Sequence, residues 1–188
     1  YHYGLHRRHR DTYRPERFGP RSGSSGILTM MEHSGTHIDA LCHQACDLQF
    51  YGGVAVDKTE RADGYTEYGA ETIAPLLARG VLLDVAGWKR VDRLPPNYAI
   101  TAEDLDGCAR DATIEVRQGD VLLVRTGFAS AWQDEATYLA AAGVSRSGNL
   151  WTAERRVRAV GADNMAWDCM TEKDPDTNMV LFGHAHLL

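Results

Sequence analysis

Three of the chain's eight histidines and one aspartate fall within eleven residues, His33-Ser34-Gly35-Thr36-His37-Ile38-Asp39-Ala40-Leu41-Cys42-His43. Imidazole nitrogens and a carboxylate oxygen at that density are the ordinary ligand set of a catalytic divalent metal. His33, His37 and Asp39 would supply three ligands and leave coordination positions open. A zinc-like ion would acidify water in such a position to a pKa near ~7, giving hydroxide at neutral pH. His43, close but not ligated, suits a proton shuttle because imidazole ordinarily titrates near ~6.5.

The segment cannot do this while extended. At ~3.3 Å per residue, His33 and His43 would lie about 33 Å apart on a strand. A helix would join His33 to His37 at i, i+4 but turn Asp39 away. A bend is required, and Gly35 is the residue able to take the backbone angles. His37 and Asp39 can then stay on one strand face, about 6–7 Å apart at Cα. Farther along, His184 is expected on the inward face of a last helix with Val180, Leu181, Leu187 and Leu188. His186 lies about 200° around that helix, so His184 is the better candidate for any second metal.

The elements that must position these groups alternate between strand and helix, which predicts an α/β domain with a mixed sheet. Ile27–Met31 reads as a buried strand feeding the motif, after a loop at residues 21–26. Val81–Val85 and Val121–Arg125 read as core strands, and residues 160–163 as a further strand end. Helices are predicted over residues 69–78, 101–112, 134–142, 152–158 and 176–188. Thr101 and Asp104 form a capping box at the second of these, and Asp176 or Thr177 is expected to cap the last. An N-terminal arm and loop, residues 1–25, thus precedes a catalytic domain, residues 26–188. The sequence reads as clipped at both ends, since it opens on Tyr1 and closes in an apolar run at Leu188.

With 188 residues, 44% hydrophobic and 24% charged, the chain can bury a substantial core. A net charge of −6 argues against a nucleic-acid partner. Six arginines in residues 1–21 face only Asp11 and Glu16, a surplus of +4 that leaves −10 on the remainder. Such an arm is expected to dock on an acidic body or a neighbouring subunit, or to help bind an anionic substrate. No apolar run approaches the ~20 residues of a membrane span, and no secretory signal is visible. The four cysteines, Cys42, Cys46, Cys108 and Cys169, suit reduced thiols in a cytoplasmic protein. A structural zinc site at Cys42 and Cys46 lacks a second ligand pair, so small buried hydrophobes are the expected role.

The run His33–His43 closely resembles the H-x-G-T-H-x-D-x-P-x-H signature of the cyclase family, which includes bacterial kynurenine formamidase and metal-dependent isatin hydrolase. Gly119–Gly127, Gly161-Ala162-Asp163 with Asp168, and His184 followed by Leu187-Leu188 extend the match from about Gly26 onward. The resemblance implies a swivelling β/β/α fold, a zinc or manganese site and a homo-oligomer. It also implies that His33, His37 and Asp39 bind the first metal, that Asp39 can bridge to a second, that His184 binds the second, and that His43 is the general acid/base. Leu41 stands where the family usually has proline. Formamidase-like members carry a glutamate ligand about a dozen residues past the position of His184, beyond the last residue here, so a one-metal site is expected.

These readings lead to a metal-dependent hydrolase of an amide, lactam or lactone bond in a small-molecule substrate, metal-bound hydroxide attacking the carbonyl. The alternatives are a biosynthetic cyclase or dehydratase on the same metal, and a non-catalytic metal- or ligand-binding relative. Arg125 and Trp167 are weighed as substrate contacts against a salt bridge and ordinary packing.

Overall fold

A tyrosine laid over a glycine sets the first strand pair. In the computed structural model, which describes residues 1–188, β1 (His2–Arg7) runs antiparallel to β2 (Ser25–Thr29). Tyr3 pairs with Leu28 and Leu5 with Gly26, and the Tyr3 ring fills the space where a Cβ on Gly26 would stand. Two helical turns, His9–Thr12 and Pro15–Phe18, connect the strands. Pro15 occupies a first-turn position, where its missing N–H costs no hydrogen bond. The Thr12 hydroxyl donates to the Gly23 carbonyl at 2.6 Å and ties the end of this connection to its start. The strand expected to be buried at Ile27–Met31 is thus found at Ser25–Thr29, and every residue of it is exposed. Apolar sequence marks a strand but does not say what covers it.

These elements belong to one of two compact units, Tyr1–Asp39; the other is Ala40–Leu188. The second unit is built on a three-stranded parallel sheet of β3 (Gly80–Asp84), β4 (Val121–Arg125) and β5 (Ala159–Ala162), with β4 in the centre. Val81, Leu83, Leu122 and Val124 point to one face and are buried. Leu82 and Leu123 point to the other and remain exposed, as strand alternation requires. The covered face belongs to a core with α1 (Ala102–Asp111) and α2 (Arg146–Glu154), through Leu105, Cys108, Ala109 and Trp151. Burial pushes the Cys108 thiol up to about 11, Asp84 and Asp111 adding to the effect, so this sulfur is a core group.

The α/β class read from the sequence is the class observed, with parallel and antiparallel pairs distributed over small sheets. Individual helices differ more. Thr101 and Asp104 form the expected capping box. Asp134 caps a helix that spans Glu135–Leu139. The helix expected over residues 69–78 is a 3-10 turn, Ala70–Thr72, because Pro75 disfavours helical angles at the residue before it. The helix expected over residues 152–158 begins earlier, at Arg146, capped by Ser145. The last helix, expected over residues 176–188, is α3 (Phe182–Leu187). Asn178 and Leu181 hold φ of 60° and 58°, left-handed angles that a right-handed helix cannot contain. No helix is long and apolar enough to cross a membrane.

Candidate metal centre

Residues 32–36 form a series of bends, and Gly35 within them takes φ +70°. A Cβ there would meet nothing within 4 Å, so the demand for glycine is set by the backbone angle. The bend turns the His37 ring back onto its own chain, where Nδ1 lies 2.8 Å from the Gly35 carbonyl. A carbonyl only accepts, so Nδ1 carries the proton and the lone pair of the neutral ring sits on Nε2.

That nitrogen is one corner of a triangle. His37 Nε2 is 3.0 Å from His33 Nδ1 and 3.4 Å from Asp39 Oδ1. His33 Nδ1 is 3.3 Å from the same Asp39 oxygen. Ligands at the roughly 2.0–2.1 Å of zinc–nitrogen bonds in a tetrahedron stand roughly 3.3–3.4 Å from each other, so the three atoms are spaced as corners around one ion. Two borderline nitrogens and a hard oxygen also suit a zinc- or manganese-like cation chemically. The residues present therefore fit a divalent ion. Glu32 Oε1 lies 3.6 Å from the outer His33 nitrogen, within ion-pair range but beyond a hydrogen bond. His33 and His37 are 39% and 31% exposed at the side chain, so the triangle is open to solvent on one side. His33, His37 and Asp39, all of the first unit, are thus brought together as a set able to hold a metal.

The second unit positions His43 and His184. His43 ends the 3-10 turn Leu41–His43, held by its N–H donating to the Ala40 carbonyl at 2.8 Å. Ala40 is extended, φ −84° and ψ 161°, the conformation a following proline would impose, so Leu41 meets the same backbone course without one. The neighbouring Cys42 N–H donates to Tyr68 and pins the turn. His43 and His184 rings lie 6.0 Å apart, edge to face. His184 stands in the first turn of α3, largely buried, with Nδ1 2.7 Å from Asp168. His186 is exposed and stacks on Phe182.

Arg125 ion-pairs with Asp84 at 2.7 Å and donates to the Asp92 carbonyl. Trp167 is buried and donates its indole N–H to Asn149. Both therefore act in the framework, as the salt bridge and the packing weighed for them. Cys42 and Cys46 are not buried, against expectation, and the side-chain groups able to hold an ion include no cysteine. Sequence reasoning gave Asp168 and Asn149 no role. Their partners lie 16 and 18 residues away along the chain, beyond the reach of any local spacing rule.

Comparison with known proteins gives a consistent relationship. A family model described as "Putative cyclase" matches residues 6–169. The crystal structure of a novel cyclase is similar over 89% of this chain and 58% of its own, at 27% identity and a TM-score of 0.76. Isatin hydrolase A from Ralstonia solanacearum is similar over 89% of this chain and 58% of its own, at 20% identity and a TM-score of 0.60. An isatin hydrolase bound to the product analogue thioisatinate is similar over 80% and 53%, at 20% identity and a TM-score of 0.53. The chain thus spans little more than half the length of these structures. No curated protein matches it. With its signature histidines and aspartate gathered in space and most of its length inside the family match, the chain belongs to the cyclase family.

Proposed function

We propose that this chain is the metal-site portion of a metal-dependent hydrolase that opens an amide, lactam or lactone bond of a small molecule. The observation that supports this most directly is the triangle of His33 Nδ1, His37 Nε2 and Asp39 Oδ1, with edges of 3.0, 3.3 and 3.4 Å. These three residues would hold a zinc or manganese ion, and His184 is proposed as a ligand of any second one. A divalent ion supplies Lewis-acid polarisation of a carbonyl and acidification of water. The chain's own residues do the rest. The Gly35 carbonyl fixes the His37 ring, Glu32 faces the outer nitrogen of His33, and Asp39 adds the negative charge that retains a cation. His43 is the proposed general acid/base, which would take a proton and return it to the leaving group. A small-molecule substrate is proposed, with neither nucleic acid nor membrane as a partner, and the protein is proposed to be a cytoplasmic homo-oligomer.

The test is elemental analysis of the purified chain, followed by turnover of isatin-like lactams, formamides and lactones with metal removed and restored. Activity that vanishes with the metal and returns with zinc or manganese is expected. His43→Ala should lower turnover by about 10²–10⁴-fold while metal content is kept. His37→Ala should lose the metal itself. A chain that takes up no divalent ion, or a His43→Ala protein with full activity, would refute the reading.

A further inference from the structure

We infer that Asp168 is a positioning residue. It holds His184 in the tautomer with the proton on Nδ1, so that Nε2 is the nitrogen offered to a metal. This rests on the proposed role of His184 as a ligand. The carboxylate is 3% exposed and each of its oxygens is met by two groups. Oδ1 accepts from the Gly183 N–H at 2.8 Å and from Asn149 Nδ2 at 2.7 Å. Oδ2 accepts from the His184 N–H at 3.0 Å and stands 2.7 Å from His184 Nδ1.

The chemistry of these neighbours leaves little freedom. Backbone N–H groups only donate, so both oxygens must be acceptors. The orientation of Asn149 is fixed as well. It is fully buried, its Oδ1 accepts from the Trp167 indole at 2.7 Å, and its Nδ2 also donates to the Ser145 carbonyl at 3.0 Å. An indole can only donate, so this amide cannot be flipped. The chain Trp167 to Asn149 to Asp168 therefore runs in one direction and ends on an acceptor facing Nδ1. A carboxylate in that place requires Nδ1–H, and the lone pair of the neutral ring falls on Nε2. Gly183 makes the approach possible, because a Cβ there would overlap both Asn149 Oδ1 and Asp168 Oδ1. The same arrangement fixes the ring plane, since the residue that receives Nδ1–H also receives the residue's own backbone N–H.

The experiment reads the tautomer directly. The full chain is labelled with ¹⁵N-histidine, freed of metal, and studied by NMR at alkaline pH, where imidazoles are neutral. The His184 signals are assigned by their loss in His184→Ala. Nδ1–H for His184 in the unaltered chain is the expected result, and Nε2–H or a mixture of both overturns the inference whatever the protein's metal content. In Asp168→Asn, the locked amide of Asn149 keeps the new carbonyl at the Oδ1 position and puts the NH₂ beside His184. The ring should then switch to Nε2–H, and affinity for Co²⁺, followed by its visible absorption, should fall about 10–100-fold. A variant that folds, by circular dichroism, and keeps the Nδ1–H tautomer overturns the inference. If the unaltered chain shows Nδ1–H but His184→Ala binds Co²⁺ undiminished, the ligand role fails, and the metal half of the inference with it.

Discussion

Gly35 holds φ +70° with open space where a side chain would begin, so its replacement tests conformation without adding a clash. Gly35→Ala would have to adopt a left-handed angle at a cost of roughly 1–2 kcal/mol. That cost should appear as an approximately tenfold loss of zinc affinity in a competition titration, with the thermal midpoint little changed because residues 32–36 form no regular element. Gly35→Asn, which tolerates the left-handed region better, should recover much of the loss. Equal affinity in the alanine variant would mean that this angle does not gather His33, His37 and Asp39. The three were legible in the sequence because they lie within seven residues, where one glycine decides whether they can converge. Asp168 entered only as a matched position, and its contacts were not legible, because they depend on Asn149 and His184 meeting it through packing. No spacing rule spans residues that meet only through packing.

The start of α1 shows how an element's stability can be tied to one charge. Burial alone would raise the Asp104 carboxyl, but the Lys89 ammonium at 2.7 Å, the Thr101 N–H and the Tyr98 hydroxyl outweigh it and hold its pKa below the ordinary carboxylate value. A group depressed in the folded state contributes stability in full above its unfolded pKa, and that contribution is lost as pH falls through the folded value. Asp104→Asn should therefore cost about 1–3 kcal/mol at neutral pH, and the difference from the unaltered chain should close in acid. Denaturant unfolding at several pH values measures this; a deficit that persists unchanged into strong acid would contradict it. In α2, Gly148 packs so closely that a Cβ would lie 2.6 Å from Val144 and 2.8 Å from the Ile100 carbonyl. Gly148→Ala should destabilise by about 1–3 kcal/mol through overpacking, despite alanine's better helix propensity. The same contrast explains which elements could be read in advance. Strands β3 and β4 and the cap of α1 carry their signals locally. The helix expected over residues 152–158 starts earlier, at Arg146, where Ser145 caps it and Gly148 and Asn149 are buried.

At the scale of the whole molecule, charge and exposed apolar surface make the proposed homo-oligomer testable. Residues 1–21 hold a surplus of +4 and the remainder −10, so in the proposed oligomer the basic arm of one copy would meet an acidic body on a second. The ribbon of β1 and β2 leaves Tyr3, Leu5, Ile27 and Leu28 each more than half exposed. Isolated two-stranded ribbons are marginal in water, and a sheet that packs gains what a bare one lacks. Two terms should therefore favour self-association, and they separate experimentally. The charge term weakens with salt, since the screening length shrinks from about 30 Å at 0.01 M to about 3 Å at 1 M, whereas the apolar term does not. Sedimentation velocity should show a concentration-dependent oligomer whose dissociation increases at high salt. Ile27→Thr with Leu28→Thr keeps strand propensity while removing apolar area, so it should weaken the oligomer at every salt concentration. Arg7→Glu with Arg14→Glu should weaken it at low salt and matter little at high salt. If the unaltered chain sediments as a monomer at all concentrations, the exposed ribbon and the basic arm are not an interface between copies. The charge imbalance would then be left to substrate binding, and turnover of anionic substrates in the arginine variants would be the measurement to make.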